Sequence, residues 1–300
     1  MRIALAGASG LIGQALIEEL ERVGHDTVVF VRPGAAAQPR PTIAWSPNKG
    51  MVSESDLEKA GPLDVVVNLS GAGIGDRRWS AKRKALILGS RLDTTNLLVS
   101  TLEKVNGGTA HLINASAVGY YGTRGSEELT EDSARGEGFL SDVCVAWESA
   151  AQSKTLRVAV VRTGIVMTKQ GGALAKQLPL FKLGLGGPLG TGTQWLSPIS
   201  LEDEIRALLH IIDKELTGPI NLSAPMPVTN SEFTKTLAEV LRRPAILRAP
   251  QFALKIALGE EMAKELLLIS QRVLPTRLLA SGFTFNHPEL RPLLEWAVRN

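Results

Sequence analysis

A single cysteine, Cys144, in 300 residues leaves this chain no internal disulfide and no cysteine-built metal centre. Histidine is nearly as scarce. His25, His111, His210 and His287 stand far apart, without the paired spacing of a zinc-ligating helix, so no metal site is expected. Aromatic residues make up only 5% of the chain, and no apolar run is long enough to span a bilayer. Gly7, Gly10 and Gly13 interrupt the apolar start where a secretion signal needs continuity. Lys and Arg exceed Asp and Glu by only 33 to 30, too little to mark a nucleic-acid binder. These absences point to a reducing compartment, most simply the cytoplasm, with neither nucleic acid nor membrane expected as a partner.

What is present is a sequence 44% hydrophobic, rich in Gly, Ala, Val and Leu, and long enough to bury a large core. Residues 3–6 read as a buried strand. Gly7, Gly10 and Gly13 follow, and then Leu11, Ile12, Ala15, Leu16, Leu20 and Val23 recur at helical spacing. A glycine-rich turn between strand and helix lets a pyrophosphate lie on bare backbone N–H groups at the positive end of the helix dipole. Gly7 is expected to make the tight turn, Gly10 to clear room for phosphates and Gly13 to let helix approach strand. Further strands are predicted over 27–31, 42–45, 63–69, 111–116 and 156–162, with helices over 80–104 and 141–153. That alternation predicts an α/β fold, a Rossmann-type doubly wound parallel sheet. Beyond Arg162, the glycine-rich stretch 171–194 reads as a shaped loop. Ser200-x-x-Asp203 reads as a capping box opening a helix to Lys214, and 219–223 returns to the sheet. From residue 229 the chain reads as mostly helical, cut by Pro244, Pro250, Pro275, Pro288 and Pro292. The expected organisation is a dinucleotide-binding domain over 1–225, with a substrate-side loop near 167–200, and a smaller helical lobe over 226–300.

The end of the second strand should carry the side chain that reads the adenosine ribose. An acidic residue there favours NAD; this chain has Arg32, and Asp26 lies at the strand's other end. A guanidinium suits a 2′-phosphate by charge and bidentate geometry, so NADP(H) is expected over NAD(H). The bland alternative is a solvent-facing arginine. The cofactor should lie over Gly7, Ala8, Ser9, Gly10, Leu11 and Ile12, with its nicotinamide half passing Ser70, Gly71 and Ala72. Asn114 to Ser116 should end a strand on the same crevice. Ser116, Tyr120 and Tyr121 are candidate hydroxyls for chemistry there, although the two tyrosines read equally well as packing beneath the loop. Arg78, Trp79 and Trp195 are candidate walls for a small-molecule substrate, while Lys82, Arg83 and Lys84 read as a solvated helix face.

With these pieces in view, the chain resembles the extended and atypical short-chain dehydrogenase/reductases, specifically the epimerase-family proteins. The resemblance rests on Gly-Ala-Ser-Gly-Leu-Ile-Gly at 7–13, Asn68-Leu-Ser-Gly71, Arg78-Trp79, Ser90-Arg91, Ser116 to Gly122, Trp147-Glu148, Arg162 to Val166 and Gln194-Trp195. Leu266 to Pro275 with Ala280 to Phe283 resembles the short C-terminal domain of that group. The resemblance implies Arg91 and Ser116 among the cofactor contacts, and pairing into a homodimer through helices near 80–104 and 137–153. It also implies a Tyr-x-x-x-Lys pair for proton transfer, with a glutamate four residues after the lysine. Taking Glu148 as that glutamate puts Leu140 at the tyrosine position and Cys144 at the lysine position. No Tyr-x-x-x-Lys occurs in this chain. The expected function is an NADP(H)-binding oxidoreductase or epimerase-like protein with a nonstandard active site. A non-catalytic NADPH sensor is the alternative.

Overall fold

The computed structural model describes residues 1–105 and 109–300. The first apolar run forms β1 (Arg2–Ala6), in which Ile3 and Leu5 face one side of a sheet while Ala4 and Ala6 face the other. It is joined by β2 (Asp26–Val31), β3 (Thr42–Ser46), β4 (Met51–Val52), β5 (Val65–Asn68) and β6 (His111–Ala117). Strands Arg157–Thr163 and Gly218–Leu222 complete eight. Across the sheet the order is Gly218–Leu222, Arg157–Thr163, β6, β5, β1, β2, β3, β4. Every neighbouring pair is parallel except β3 with β4. The chain leaves β1 toward β2 and later returns to β1's other side with β5. A crevice therefore opens at the carboxyl ends of β1 and β5, where a ligand is expected in such sheets.

Helices cover both faces. On one, α1 (Leu11–Arg22) buries Leu16, Ile17 and Leu20 against α6 (Leu201–Asp213), whose Ile205, Leu208 and Ile212 reach the same core. Between them in sequence lie α2 (Glu54–Ala60), α3 (Ala81–Val105), α4 (Phe139–Ala150) and α5 (Gly172–Lys182). Leu98 and Leu102 of α3 pack with Phe30, Val66 and Leu112 on the opposite face. The remaining helices are α7 (Asn230–Leu241), α8 (Gln251–Leu258), α9 (Glu260–Leu266), α10 (Thr276–Ala280) and α11 (Leu290–Arg299). Leu278, Phe283 and Phe285 from this last quarter enter the main core.

Two local expectations differ from the structure. The stretch 171–194 holds a helix, α5, despite Pro179 within it. Leu174, Leu178 and Phe181 recur at four and three residues and are buried against α7 and α11, so packing outweighs the proline. The Ser200 cap is only half of a capping box. Ser200 Oγ accepts from Asp203 N at 3.0 Å, but the Asp203 carboxylate accepts instead from Asn286 N at 2.8 Å and His287 N at 2.9 Å. Asp203 is fully buried and thereby fastens the chain entering α11 to the start of α6. Among the described residues no helix is long and apolar enough to cross a membrane, and no three potential metal ligands come together.

Candidate functional site

Gly7 sits at φ +87°, and a Cβ there would lie 2.7 Å from the carbonyl carbon of Leu69. The first glycine thus turns the chain and lets the exit of β1 touch the loop after β5. Gly13 serves a different neighbour from the one expected. Its Cβ would collide with the carbonyl oxygen of Gly7 and lie 2.9 Å from Ala8 Cα, so it seats the helix on the loop rather than on the strand. Gly10 caps α1 with no side-chain hydrogen bond, leaving first-turn N–H groups to face the crevice. Gly13→Ala is expected to lower unfolding free energy by roughly 1–3 kcal/mol, because the obstruction is backbone that cannot rotate away. An unchanged urea midpoint for that variant would contradict the packing described.

Gly7 to Gly10, Arg32 and Ser70 to Ala72 line one cleft of about 1080 Å³. Leu11 and Ile12 stand beside it in the first turn of α1. Arg32 is exposed and, among the described residues, its side chain has neither an ion pair nor a hydrogen bond. Arg40 lines the same cleft but is held by Glu21 at 2.8 Å. Asp26 is at the opposite end of β2 and pairs weakly with Arg2 at 3.9 Å. Arg91 lies behind the cleft wall: its Nη1 donates to the carbonyls of Ala72 at 3.1 Å and Ile87 at 2.9 Å, and the guanidinium covers the Trp147 ring at 4.8 Å. A Cβ at position 71 would meet that guanidinium at 3.0 Å, which explains Gly71. Burial holds the Arg91 pKa below its usual value, and no carboxylate pairs with it among the described residues.

Below the cleft a buried polar cluster fixes the loop after β5. Asn68 Nδ2 donates to Asn114 Oδ1 at 2.7 Å and to Thr95 Oγ1 at 3.0 Å, while Asn68 Oδ1 accepts from Ser70 N at 3.1 Å. Trp147 Nε1 donates to the same Thr95 hydroxyl at 3.0 Å, so α3 and α4 are both tied to the strand ends.

Ser116, at the end of β6, lies outside the cleft lining and opens a second network. Its Oγ donates to Glu148 Oε1 at 2.7 Å. Arg162 grips the same carboxylate with Nε at 2.9 Å and Nη2 at 2.8 Å, a bidentate pair with side chains 4% and 13% exposed. The Arg162 Nη1 also donates to Tyr121 Oη at 3.0 Å, and Tyr121 donates to Asn221 Oδ1 at 2.7 Å. Burial opposes the Arg162 charge, but the hydrogen bonds and charge of Glu148 raise its pKa above the usual value.

The two tyrosines part company here. Tyr121 is fully buried, its hydroxyl is committed on both sides, and burial pushes its pKa up to about 12 against the pull of Arg162. It packs beneath the loop and is not placed to exchange protons with a ligand, which corrects its candidacy for chemistry. Tyr120 is half-buried with its ring 3.5 Å from the Arg162 guanidinium, and its hydroxyl has no partner among the described residues.

Leu140 and Cys144, which fall at the positions of the resemblance's tyrosine and lysine if Glu148 is its glutamate, are both buried in α4. The Cys144 thiol is pushed up to about 11 by burial and by the Glu148 charge, which disfavours the thiolate. The basic cluster is more engaged than a solvated face. Arg78 donates to the carbonyls of Ala257 at 2.9 Å and Ile256, ending α8, and Lys84 pairs with Glu261 of α9 at 2.7 Å. Arg83 reaches Asp76 at 3.2 Å, and Trp79 sits edge-on to Phe139. Trp195 is half-buried under the Arg272 guanidinium at 4.6 Å, and borders a separate cavity of about 340 Å³.

Sequence reasoning named Ser116, Tyr121 and Glu148 but missed that Arg162 joins them. The usable signal was a charge ending the apolar run Arg157-Val-Ala-Val-Val-Arg162, which must find a counter-charge if the strand is buried.

A parallel sheet with its glycine turn at the topological switch point defines a dinucleotide-binding α/β protein. Residues 3–222 match the NAD dependent epimerase/dehydratase family and residues 249–297 a domain of unknown function, DUF1731. The chain belongs to the NAD-dependent epimerase/dehydratase family. It is 42% identical over 300 residues to an epimerase family protein of Mycobacterium bovis, covering 99% of this chain and 97% of that one. It is similar as well to the human epimerase family protein SDR39U1, whose crystal structure with NADPH superposes at a TM-score of 0.90 with 33% identity, covering all of both chains. The Thermus thermophilus UDP-glucose 4-epimerase, crystallised with NAD, shares the fold at a TM-score of 0.76 and 17% identity, covering 100% of this chain and 98% of its own.

Proposed function

We propose that this protein binds NADP(H) in the cleft between the glycine turn and residues 69–72, and acts there as an oxidoreductase or epimerase-like enzyme on a small molecule. The observation that carries the reading is Arg32, an unpaired guanidinium at the end of β2 on the wall of that cleft. The human relative's crystal structure with NADPH supports it. The chain's own groups fit such a cofactor. The bare N–H groups at the start of α1 suit the pyrophosphate, Arg32 the 2′-phosphate, and the small residues Ser70 to Ala72 the nicotinamide half. The bound cofactor supplies hydride exchange at its nicotinamide ring. Ser116 and Tyr120 are the hydroxyls we assign to the substrate oxygen. Ser116 donates its hydroxyl to Glu148, which leaves its oxygen lone pairs to accept from a substrate hydroxyl, while the Tyr120 hydroxyl, without a partner among the described residues, is left to donate. Arg32→Asp is expected to weaken NADPH binding by about tenfold or more while sparing NADH. Equal losses for both, measured by fluorescence titration, would refute the 2′-phosphate assignment.

A second reading is favoured by one observation, the buried Leu140 and Cys144 where a proton-transfer pair belongs. A protein so built binds NADPH as a signal, without turnover. A panel of carbonyl compounds and nucleotide sugars separates the two. Turnover that falls at least tenfold in both Ser116→Ala and Tyr120→Phe supports the enzyme, and NADPH binding with no consumption on any substrate supports the sensor.

A further inference from the structure

Among the described residues, half of the exposed large apolar side chains belong to two short stretches, 180–185 and 246–256. Leu180, Leu183 and Leu185 come from the end of α5 and its following turn, and Ile246, Leu247, Phe252 and Ile256 from the approach to α8 and α8 itself. Ile246 is 81% exposed, Leu183 72%, Ile256 70% and Phe252 66%. The stretches are side by side. Arg243 Nε donates to Lys182 O at 2.9 Å, Leu247 N donates to Gly186 O at 3.2 Å, and Gly184 approaches the Pro244 ring. Helix α8 reads Gln-Phe-Ala-Leu-Lys-Ile-Ala-Leu, yet none of its residues is buried. A soluble helix of that composition normally hides a face.

The charge of this rim is one-sided. Residues 163–201 and 240–259 contain no Asp or Glu, although the chain has 30 in all. They do contain Lys169, which donates to the Arg299 carbonyl, and Lys176, Lys182, Arg242, Arg243, Arg248 and Lys255. Lys255 is paired with Glu260, and Lys176 donates to Gly75 O. Lys182, Arg242, Arg243 and Arg248 are exposed and make no ion pair among the described residues. The nearby carboxylate of Glu239 is taken by Arg291.

We propose that this rim docks on the surface of an anionic lipid bilayer, with Ile246, Phe252, Ile256 and the leucines of 180–185 entering the headgroup region. Among the described residues no helix is long and apolar enough to cross a membrane, and surface contact is a separate matter. Exposed apolar residues ringed by unopposed Lys and Arg are the composition of an interfacial anchor. A second copy of this chain is a poor occupant, since two such rims bring like charges together. A protein partner needs a complementary relief, whereas a bilayer accepts apolar tips carried on separate turns and a helix.

The test is co-sedimentation of the purified full chain with phosphatidylcholine vesicles, with or without about 30% phosphatidylserine. Binding is expected to the anionic vesicles only, and to weaken at least tenfold between low and high salt as screening sets in. Phe252→Glu/Ile256→Glu and Arg242→Glu/Arg248→Glu are each expected to reduce vesicle binding by about tenfold or more. Both variants should keep the NADPH affinity of the parent, which reports an intact fold. Absence of vesicle binding at low salt, or undiminished binding by folded variants, would overturn the proposal. So would a concentration-dependent dimer that Phe252→Glu/Ile256→Glu abolishes while vesicle binding stays nil.

Discussion

Arg162→Ala is expected to cost about 3–5 kcal/mol of folding stability, among the largest losses available from a single truncation of a polar residue in this chain. The reason is what the truncation leaves behind. Glu148 would remain nearly buried with its charge unopposed, and its Oε1 and Oε2 would lose donors at 2.9 and 2.8 Å. Tyr121 would lose the guanidinium that bonds its hydroxyl, and Tyr120 the cation beneath its ring. Glu148→Gln should cost less. Its amide oxygen can still accept from Arg162 or Ser116, and the lost charge leaves Arg162 with Tyr121 Oη and the Glu131 carbonyl. The double variant Arg162→Leu/Glu148→Gln should recover part of the Arg162→Ala loss, since it no longer buries a lone charge. Urea denaturation of the parent and the three variants decides the matter. If Arg162→Ala and the parent share a midpoint, the pair contributes nothing and Ser116 is not held by it.

How legible this site is from sequence depends on how far apart in the chain its parts lie. The glycine turn and Arg32 are readable because each acts locally: a strand end, a turn with φ above zero at Gly7, and a second strand end. The doubly wound parallel sheet is announced by alternating strand-like and helical runs, its strand order is not, and of its eight strands only the two-residue edge strand β4 went unread. Tyr121 and Asn221 are different. They meet across a hundred residues, and nothing near either one announces the other. The same holds for Asn68 with Asn114 and Thr95, where three polar residues on three elements satisfy one another in a dry interior. Helix α5 was hidden for another reason. Pro179 and flanking glycines speak locally for a loop, while the decision is made by α7 and α11, which bury Leu174, Leu178 and Phe181.

No Tyr-x-x-x-Lys occurs in this chain, and the network places its buried charges elsewhere. A lysine at position 144 would introduce a cation into a buried site already facing Arg91, whose pKa burial depresses. The buried positive charge at the strand ends belongs to Arg162, reaching in from the neighbouring strand. Its carboxylate partner, Glu148, lies one turn beyond Cys144 on α4. The serine hydroxyl is oriented by that carboxylate rather than left to pair with a tyrosine.

The contribution of Glu204 to stability is expected to fall as pH rises from about 4.5 to about 8. Glu204, on the inner face of α6, is only 1% exposed. Burial pushes its pKa up to about 8, although the Thr163 hydroxyl, donating to Oε1 at 2.8 Å, pulls the other way. Its Oε2 has no partner among the described residues. An ordinary glutamate, as in the unfolded chain, titrates at 4.5. Between those two values the folded protein keeps a proton that the unfolded chain releases, so raising the pH favours unfolding by up to about 1.4 kcal/mol per unit. Below the unfolded pKa the penalty is absent. Above the folded one it is complete, amounting to several kcal/mol. Glu204→Gln carries no proton to lose and keeps an oxygen to accept from Thr163. It should match the parent near pH 4.5, flatten the pH dependence above it, and exceed the parent in stability at pH 8. Urea unfolding of both proteins at pH 5, 6.5 and 8 gives the difference directly, with the contributions of all other groups cancelling. Parallel curves for the two proteins would mean that Glu204 is solvated and ionised in the folded state, and that Thr163 is bonded to a charge.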